Sequence, residues 1–325
     1  MKKWGKNEMK IVVLEPLGIS GETFNNLTKP LTDSGHELVV YDDGKTDDET
    51  LKTRVKDAEI LVLANMPLSG EVIDAADNLK YISVAFTGYD HIDLEKCKEK
   101  GIQVSNAAGY STNSVAEVTF GLIIALLRSM VPLEAIVRKE GTKDGYRQTD
   151  LKGKTLGVVG TGDIGGTVAK IGQAFGCHVI AYNRSEKQEL IDLGVEYKSL
   201  DEVLQESDIV TLHVPLTDDT KHLIDKDKLD LMKENSILIN TAVGPVVDND
   251  ALAEALHDGT IAGAGLDRVD MEPPVPANYP LLDAPNTVIL PHVGYATDEA
   301  MIRRAEITFN NIVQWEKGEQ INIVL

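Results

Sequence analysis

Short apolar runs rich in Val and Ile alternate with longer amphipathic stretches along almost the whole chain. Ile11–Leu14, Leu38–Tyr41, Ile60–Leu63 and Tyr81–Ala85 read as strands, and the segments between them carry apolar residues at helical spacing. The pattern starts again at Thr155, with strands over Leu156–Val159, Val179–Tyr182, Ile209–His213, Ile237–Asn240, Ala262–Leu266 and Val288–Leu290. Strands this short and this apolar, alternating with helices, predict parallel sheets covered by helices on both faces. The fold class is therefore α/β, with two Rossmann-like or flavodoxin-like domains. A length of 325 residues also suits two domains, because a single hydrophobic core stops growing near that size.

Between the two blocks the spacing predicts a helix over Ser114–Val131, then a polar stretch, Arg138–Lys154. A final amphipathic helix over Thr297–Lys317 is not needed to complete the second sheet and is expected to return to the first domain. The first domain is then discontinuous, 1–107 with 297–325, and 108–296 is inserted in it. The longest apolar run, Phe120–Leu127, is too short to cross a bilayer and is bounded by Glu117 and Arg128, so it reads as a buried helix. Met1–Lys10 is polar and basic and lacks the apolar region of a secretory signal. The only cysteines, Cys97 and Cys177, lie far apart. Both features point to a reducing, cytoplasmic setting.

The clearest chemical motif is Gly160-Thr-Gly162-Asp163-Ile164-Gly165. It follows the apolar strand Thr155–Val159 and opens a helix through Val168, Ala169 and Phe175, which is the context a dinucleotide-binding turn needs. Gly160 permits the tight turn, Gly162 lets the backbone approach a pyrophosphate, and Gly165 allows close packing of the helix. The helix N-terminus attracts the phosphate charge. The inserted domain is thus read as the dinucleotide-binding one and the discontinuous domain as the substrate domain. The next strand ends at Asn183-Arg184-Ser185, where an NAD site carries an acid for the ribose 2′-hydroxyl. A neutral Asn does not repel a 2′-phosphate, and Arg184 and Ser185 are able to bind one. This favours NADP(H), with NAD(H) still open.

Charge then narrows the partners. Asp and Glu number 52 against 32 Lys and Arg, a formal net charge of −20, which repels nucleic acid and anionic membranes. An anionic substrate would need local positive potential. No HExxH, CxxC or carboxylate cluster calls for a metal.

Taken together, these residues resemble the D-isomer-specific 2-hydroxyacid dehydrogenase family over nearly the whole chain. The likeness rests on Gly88-Tyr-Asp90-His91-Ile-Asp93, Gly101–Asn106, Val115-Ala-Glu117 and the glycine motif. It continues through His213-Val-Pro215-Leu216-Thr217, Asn240-Thr-Ala242, Val247-Asp248, Gly265-Leu-Asp267, Glu272-Pro273 and Pro291-His292. The resemblance implies hydride transfer between a nicotinamide dinucleotide and a small D-2-hydroxy acid or the matching 2-keto acid, in a homodimer held largely through the nucleotide domain and its long helix. It implies His292 as the acid–base residue and Glu272 as its orienting carboxylate. An imidazole suits this role because its ordinary pKa is close to neutral. Thr87 and Gly88 match the loop whose amides hold the substrate carboxylate. Thr241, Ala242 and Asp267 match positions near the nicotinamide, and His213, Pro215 and Thr217 match the loop beside the ribose. His213 is expected to be structural, as is His91. His36, His178, His222 and His257 fall beside turns or on polar faces and read as solvated.

One family residue is missing. Thr241-Ala242-Val243-Gly244 carries Val243 where the family has the Arg that binds the substrate carboxylate. Arg268 follows Asp267, where an apolar residue is usual, on a strand expected to neighbour Ile237–Asn240. Three readings stay open: Arg268 supplies the guanidinium from the neighbouring strand end, it faces away, or backbone amides hold the carboxylate alone. The alternative to an enzyme is a dinucleotide-binding protein of the same fold with weak or no turnover. Val243 keeps that alternative open, while His292 and Glu272 argue for catalysis.

Overall fold

The computed structural model describes residues 8–325; Met1–Asn7, most of the polar, basic start of the chain, lies outside the described residues. The chain divides into two compact units, Met1–Ser111 with Ala296–Leu325, and Thr112–Tyr295. In the first unit, β1 (Lys10–Val13), β2 (Glu37–Val40), β3 (Ile60–Leu63), β4 (Tyr81–Val84) and β5 (Gln103–Ser105) form a parallel sheet in the order β2-β1-β3-β4-β5. This is the flavodoxin-like order. Successive side chains alternate between its faces. Ile11, Val13, Ile60 and Val62 pack with Phe309 and Ile312 on one side, and Val12, Leu61 and Leu63 pack with Leu51, Val55 and Ile73 on the other.

The helix Asp298–Glu316 therefore covers one face of the first unit. Within that unit Ser83 Oγ donates to the Thr308 carbonyl at 2.9 Å, and Trp315 stacks on Tyr81 with ring centres 4.8 Å apart. Thr297 caps its first turn by accepting the Ala300 N–H. His36 departs from expectation. Its side chain is only 7% exposed, because Nδ1 accepts the Met9 N–H and Nε2 stands 2.6 Å from the Glu316 carboxylate.

The second unit has seven parallel strands: β6 (Thr155–Val159), β7 (His178–Tyr182), β8 (Glu196–Tyr197), β9 (Ile209–Leu212), β10 (Ile237–Asn240), β11 (Gly263–Leu266) and β12 (Thr287–Ile289). Their order, β12-β11-β10-β9-β6-β7-β8, is the doubly wound order with one further strand at the β12 edge. Every residue of β9 and β10 is buried, as expected for central strands with helices on both faces.

The single helix expected over Ser114–Val131 is instead two, Thr112–Leu127 and Met130–Val137, with a 61° bend between them. Ser129 takes a left-handed conformation, with φ +48°, and its hydroxyl donates to the Arg147 carbonyl. The Leu127 carbonyl accepts the Thr149 N–H, so the polar stretch ties off the first helix. Phe120, Leu122, Ile123 and Leu126 are buried, as the apolar run suggested. Among the described residues, no single helix is long and apolar enough to cross a membrane.

Candidate active site

The glycine turn leaves β6 and enters the helix Asp163–Ala174. Gly160 has φ +93°, which L side chains rarely adopt, and a Cβ there would press on the His213 carbonyl at 2.7 Å. A Cβ at Gly165 would run into the Gly160 carbonyl oxygen, so the third glycine lets the helix close onto the turn itself. Around Gly162, by contrast, a Cβ would meet nothing within 4 Å, so that side of the turn is open. Gly162 is the helix N-cap and supplies no side-chain cap. The first amides of the helix, led by Asp163 and Ile164, are therefore left to a ligand, which fits a dinucleotide pyrophosphate.

Beside this turn lies a cavity of about 210 Å³ lined by Gly160, Gly162, Asn183, Arg184, Pro215 and Thr217, among others. Asn183 is fixed at both ends of its amide: Oδ1 accepts the Thr161 N–H at 3.3 Å and Nδ2 donates to the Ser185 carbonyl at 2.7 Å. Arg184 and Ser185 are exposed beyond it. Thr220 shapes the opposite wall, its hydroxyl donating to the Pro215 carbonyl while accepting the Thr217 N–H. His213 is partly buried beside this cavity, and desolvation of its ring pushes its pKa down to about 3. A ring held neutral, with Nε2 at 2.9 Å from the Thr211 hydroxyl, is scaffolding for the turn, not an acid.

His292 follows β12 and adopts φ +58°, a strained backbone for a residue with a side chain. Asp267, just past the end of β11 and only 4% exposed, holds it there. The Asp267 carbonyl accepts the His292 N–H at 2.7 Å, and its two carboxylate oxygens accept the N–H groups of Val293 and Gly294, each at 2.9 Å. Three successive amides thus converge on one residue. The imidazole so presented meets Glu272 Oε2 through Nδ1 at 3.0 Å, which leaves Nε2 for a reactant. Tyr295 stands edge-on to the ring, 5.0 Å between centres. Glu272 uses its other oxygen, Oε1, to pair with the Arg268 guanidinium, with Nη2 at 2.8 Å. Arg268, Glu272 and His292 therefore form one line of paired groups, an ion pair followed by a hydrogen bond.

The neighbouring loop after β10 is fixed by the buried Asn240, whose Oδ1 accepts the Ala242 N–H at 3.0 Å. The Thr241 hydroxyl lies 2.9 Å from that of Thr119. Val243 follows, and its side chain has no polar group to offer. A Cβ at Gly244 would collide with the Val269 carbonyl, so the loops after β10 and β11 lie backbone to backbone. Thr87 and Gly88 belong to the first unit. There Asn106 Nδ2 donates to the Thr87 carbonyl at 2.7 Å, and a Cβ on Gly88 would stand 3.2 Å from the Asp90 carboxylate. His91 is half-buried in the same loop, and burial lowers its pKa. The pinning role of Asp267 and the loop-fixing role of Asn240 were missed from the residues alone. Both lie immediately after or at the end of a strand, and that position was the available signal.

A nucleotide turn and an imidazole–carboxylate pair, both at the carboxyl ends of one parallel sheet, define a dinucleotide-dependent oxidoreductase. Comparison with known proteins makes this specific. Residues 120–294 match the family model described as D-isomer specific 2-hydroxyacid dehydrogenase, NAD binding domain. A glyoxylate reductase of Thermofilum pendens is 44% identical over 273 residues, covering 82% of this chain and 80% of that one. A D-lactate dehydrogenase from Aquifex aeolicus, solved with NAD and lactic acid, superimposes with a TM-score of 0.82 at 35% identity, covering 96% of this chain and 98% of that one. An acyclic imino acid reductase solved with NADPH and D-Arg gives a TM-score of 0.86 at 28% identity, covering 98% of this chain and all of that one. The chain belongs to the D-isomer specific 2-hydroxyacid dehydrogenase family. It is a nicotinamide-dependent oxidoreductase of 2-hydroxy and 2-keto acids.

The three-amide clasp on Asp267 has a measurable consequence. Asp267→Asn exchanges one acceptor oxygen for a donor that faces an N–H. The variant is expected to lose about 1–3 kcal/mol of stability in thermal or urea denaturation. Its kcat should also fall by at least about tenfold as His292 loses its fixed position. Unchanged stability and kcat would show that the clasp does not hold the imidazole.

Proposed function

We propose that this enzyme reduces a small 2-keto acid of the glyoxylate type to the D-2-hydroxy acid, using NADPH in preference to NADH. The observation that carries the reading is the His292–Glu272 pair, held on the same sheet as the dinucleotide turn; a protein that only binds the dinucleotide has no use for it. When bound, the reduced nicotinamide supplies the hydride. His292 Nε2 donates the proton that the carbonyl oxygen needs as charge gathers there, and takes it back in the reverse direction. Glu272 accepts Nδ1–H, fixing the tautomer and stabilising the imidazolium. Thr241, Ala242 and Asp267 are assigned to the nicotinamide end. Each Asp267 oxygen keeps a lone pair beyond the one its loop amide uses. His213, Pro215 and Thr217 are assigned to the ribose side. Residues 112–295 are assigned to the dinucleotide and the first unit, with its Thr87–Gly88 loop, to the substrate.

The NADPH preference rests on Asn183, which is neutral and locked, and on the exposed guanidinium of Arg184 at the cavity wall. The helix Met130–Val137 suggests how two copies associate. Met130 and Val131 are each 53% exposed and Val137 69%, an apolar face that a second copy of the chain is proposed to cover.

Three measurements test these assignments. His292→Ala should lower kcat for glyoxylate by at least about a hundredfold while NADPH still binds; an unchanged rate removes His292 from the chemistry. Arg184→Ala should weaken NADPH binding by about tenfold or more and leave NADH nearly unaffected. A wild-type enzyme that prefers NADH in fluorescence titration overturns the cofactor assignment. Val131→Glu with Val137→Glu should turn a dimer into a monomer in sedimentation velocity, and a wild-type monomer would refute the dimer.

A further inference from the structure

We infer that Arg268 binds the substrate carboxylate, in the place that the family resemblance gives to position 243; this rests on the 2-keto acid reading above. A chain of net charge −20 repels a 2-keto acid, so attraction has to come from a cation beside the acid–base pair. Arg268 is the cation paired with the carboxylate of that pair: its Nη2 lies 2.8 Å from Glu272 Oε1, and Glu272 Oε2 in turn meets His292 Nδ1. A guanidinium carries five N–H donors, and the Glu272 carboxylate is its one ion-pair partner among the described residues. Its Nε is buried without a partner.

That arrangement is a poor bargain for stability alone. The Glu272 side chain is 55% exposed, and an ion pair at such a site contributes little. An unpartnered buried Nε adds a cost. The geometry is better explained by a ligand. Arg268 and His292 flank one carboxylate, so a guanidinium and an imidazole face the substrate side by side. A 2-keto acid presents its carboxylate and its carbonyl on adjacent carbons, which is the matching pair of acceptors. With His292 protonated for the reduction, the three groups together carry one net positive charge, the complement of one carboxylate.

Position supports the exchange. β10 and β11 pair in register, Asn240 opposite Leu266, so the segments carrying Val243 and Arg268 leave the same end of the sheet side by side. The loops that follow touch through Gly244 and the Val269 carbonyl. Val243 has given up the charge, and the adjoining strand end has taken it on. Glu272 tethers the incoming guanidinium to the acid–base pair.

The experiment compares wild type, Arg268→Ala, and Arg268→Ala with Val243→Arg, each with saturating reduced cofactor. Binding of oxamate, an unreactive analogue of a 2-keto acid, is titrated by fluorescence. Turnover is measured with pyruvate and with its uncharged methyl ester. Arg268→Ala is expected to weaken oxamate binding and lower kcat/KM for pyruvate by at least about thirtyfold, with the ester changed less than about threefold and cofactor affinity intact. Recovery of oxamate binding in the double variant supports the exchange of positions. Equal losses for acid and ester would mean that Arg268 only positions Glu272 and would overturn the inference. So would oxamate binding that is indifferent to Arg268, or absent from wild type. A wild type that binds oxamate through Arg268 yet turns over no 2-keto acid refutes the reductase reading and leaves this inference standing.

Discussion

The site depends on one residue accepting three consecutive backbone amides. Asp267 takes the N–H groups of His292, Val293 and Gly294 on its carbonyl and its two carboxylate oxygens. Without those bonds there is no reason for His292 to hold a left-handed backbone, and its ring would not be delivered to Glu272. The strain is repaid by a nearly fully buried anion with both oxygens satisfied. Asp267 follows β11 and His292 follows β12, and those strands pair in parallel register. The sheet thus sets the distance that the clasp requires.

The same sheet carries the dinucleotide turn on β6, three strands away from β11. Two kinds of rigidity meet there. The glycine turn is rigid because atoms crowd it: Gly160 against the His213 carbonyl, Gly165 against Gly160. The loops after β10 and β11 are rigid because buried side chains staple them, Asn240 in one and Asp267 in the other. Neither relies on the charged residues of the surface. A very acidic protein therefore keeps its chemistry on a frame of backbone contacts.

Much of the frame was legible in the residues, and the exceptions have physical reasons. Central strands such as Ile60–Leu63 and Ile237–Asn240 were found with their observed ends, because burial on both faces demands an unbroken apolar run. The strands Gln103–Ser105 and Glu196–Tyr197 were missed. Both are sheet edges, short and largely polar, and edges need no such run. The break at Ser129 left one trace, Pro132, which reads as a stop for the first helix but sits in the first turn of the second, where proline is tolerated. The pairing of His292 with Glu272 was legible through the resemblance. The direction of Arg268 was not: alternation at a strand end offers two opposite faces, and only the position of Glu272 selects one.

Asn183 bears on how such an enzyme changes its redox currency over evolutionary time. Its amide ties the end of β7 to the glycine turn through the Thr161 N–H and to its own loop through the Ser185 carbonyl. An aspartate at this position would still accept from Thr161, but it has no donor for Ser185, and two oxygens would then face each other. The Ser185 peptide would have to turn over before an acid could settle there. On the cofactor assignment proposed above, a drift from one dinucleotide to the other is gated by a backbone rearrangement as well as by charge, so that the loop and the side chain have to alter together.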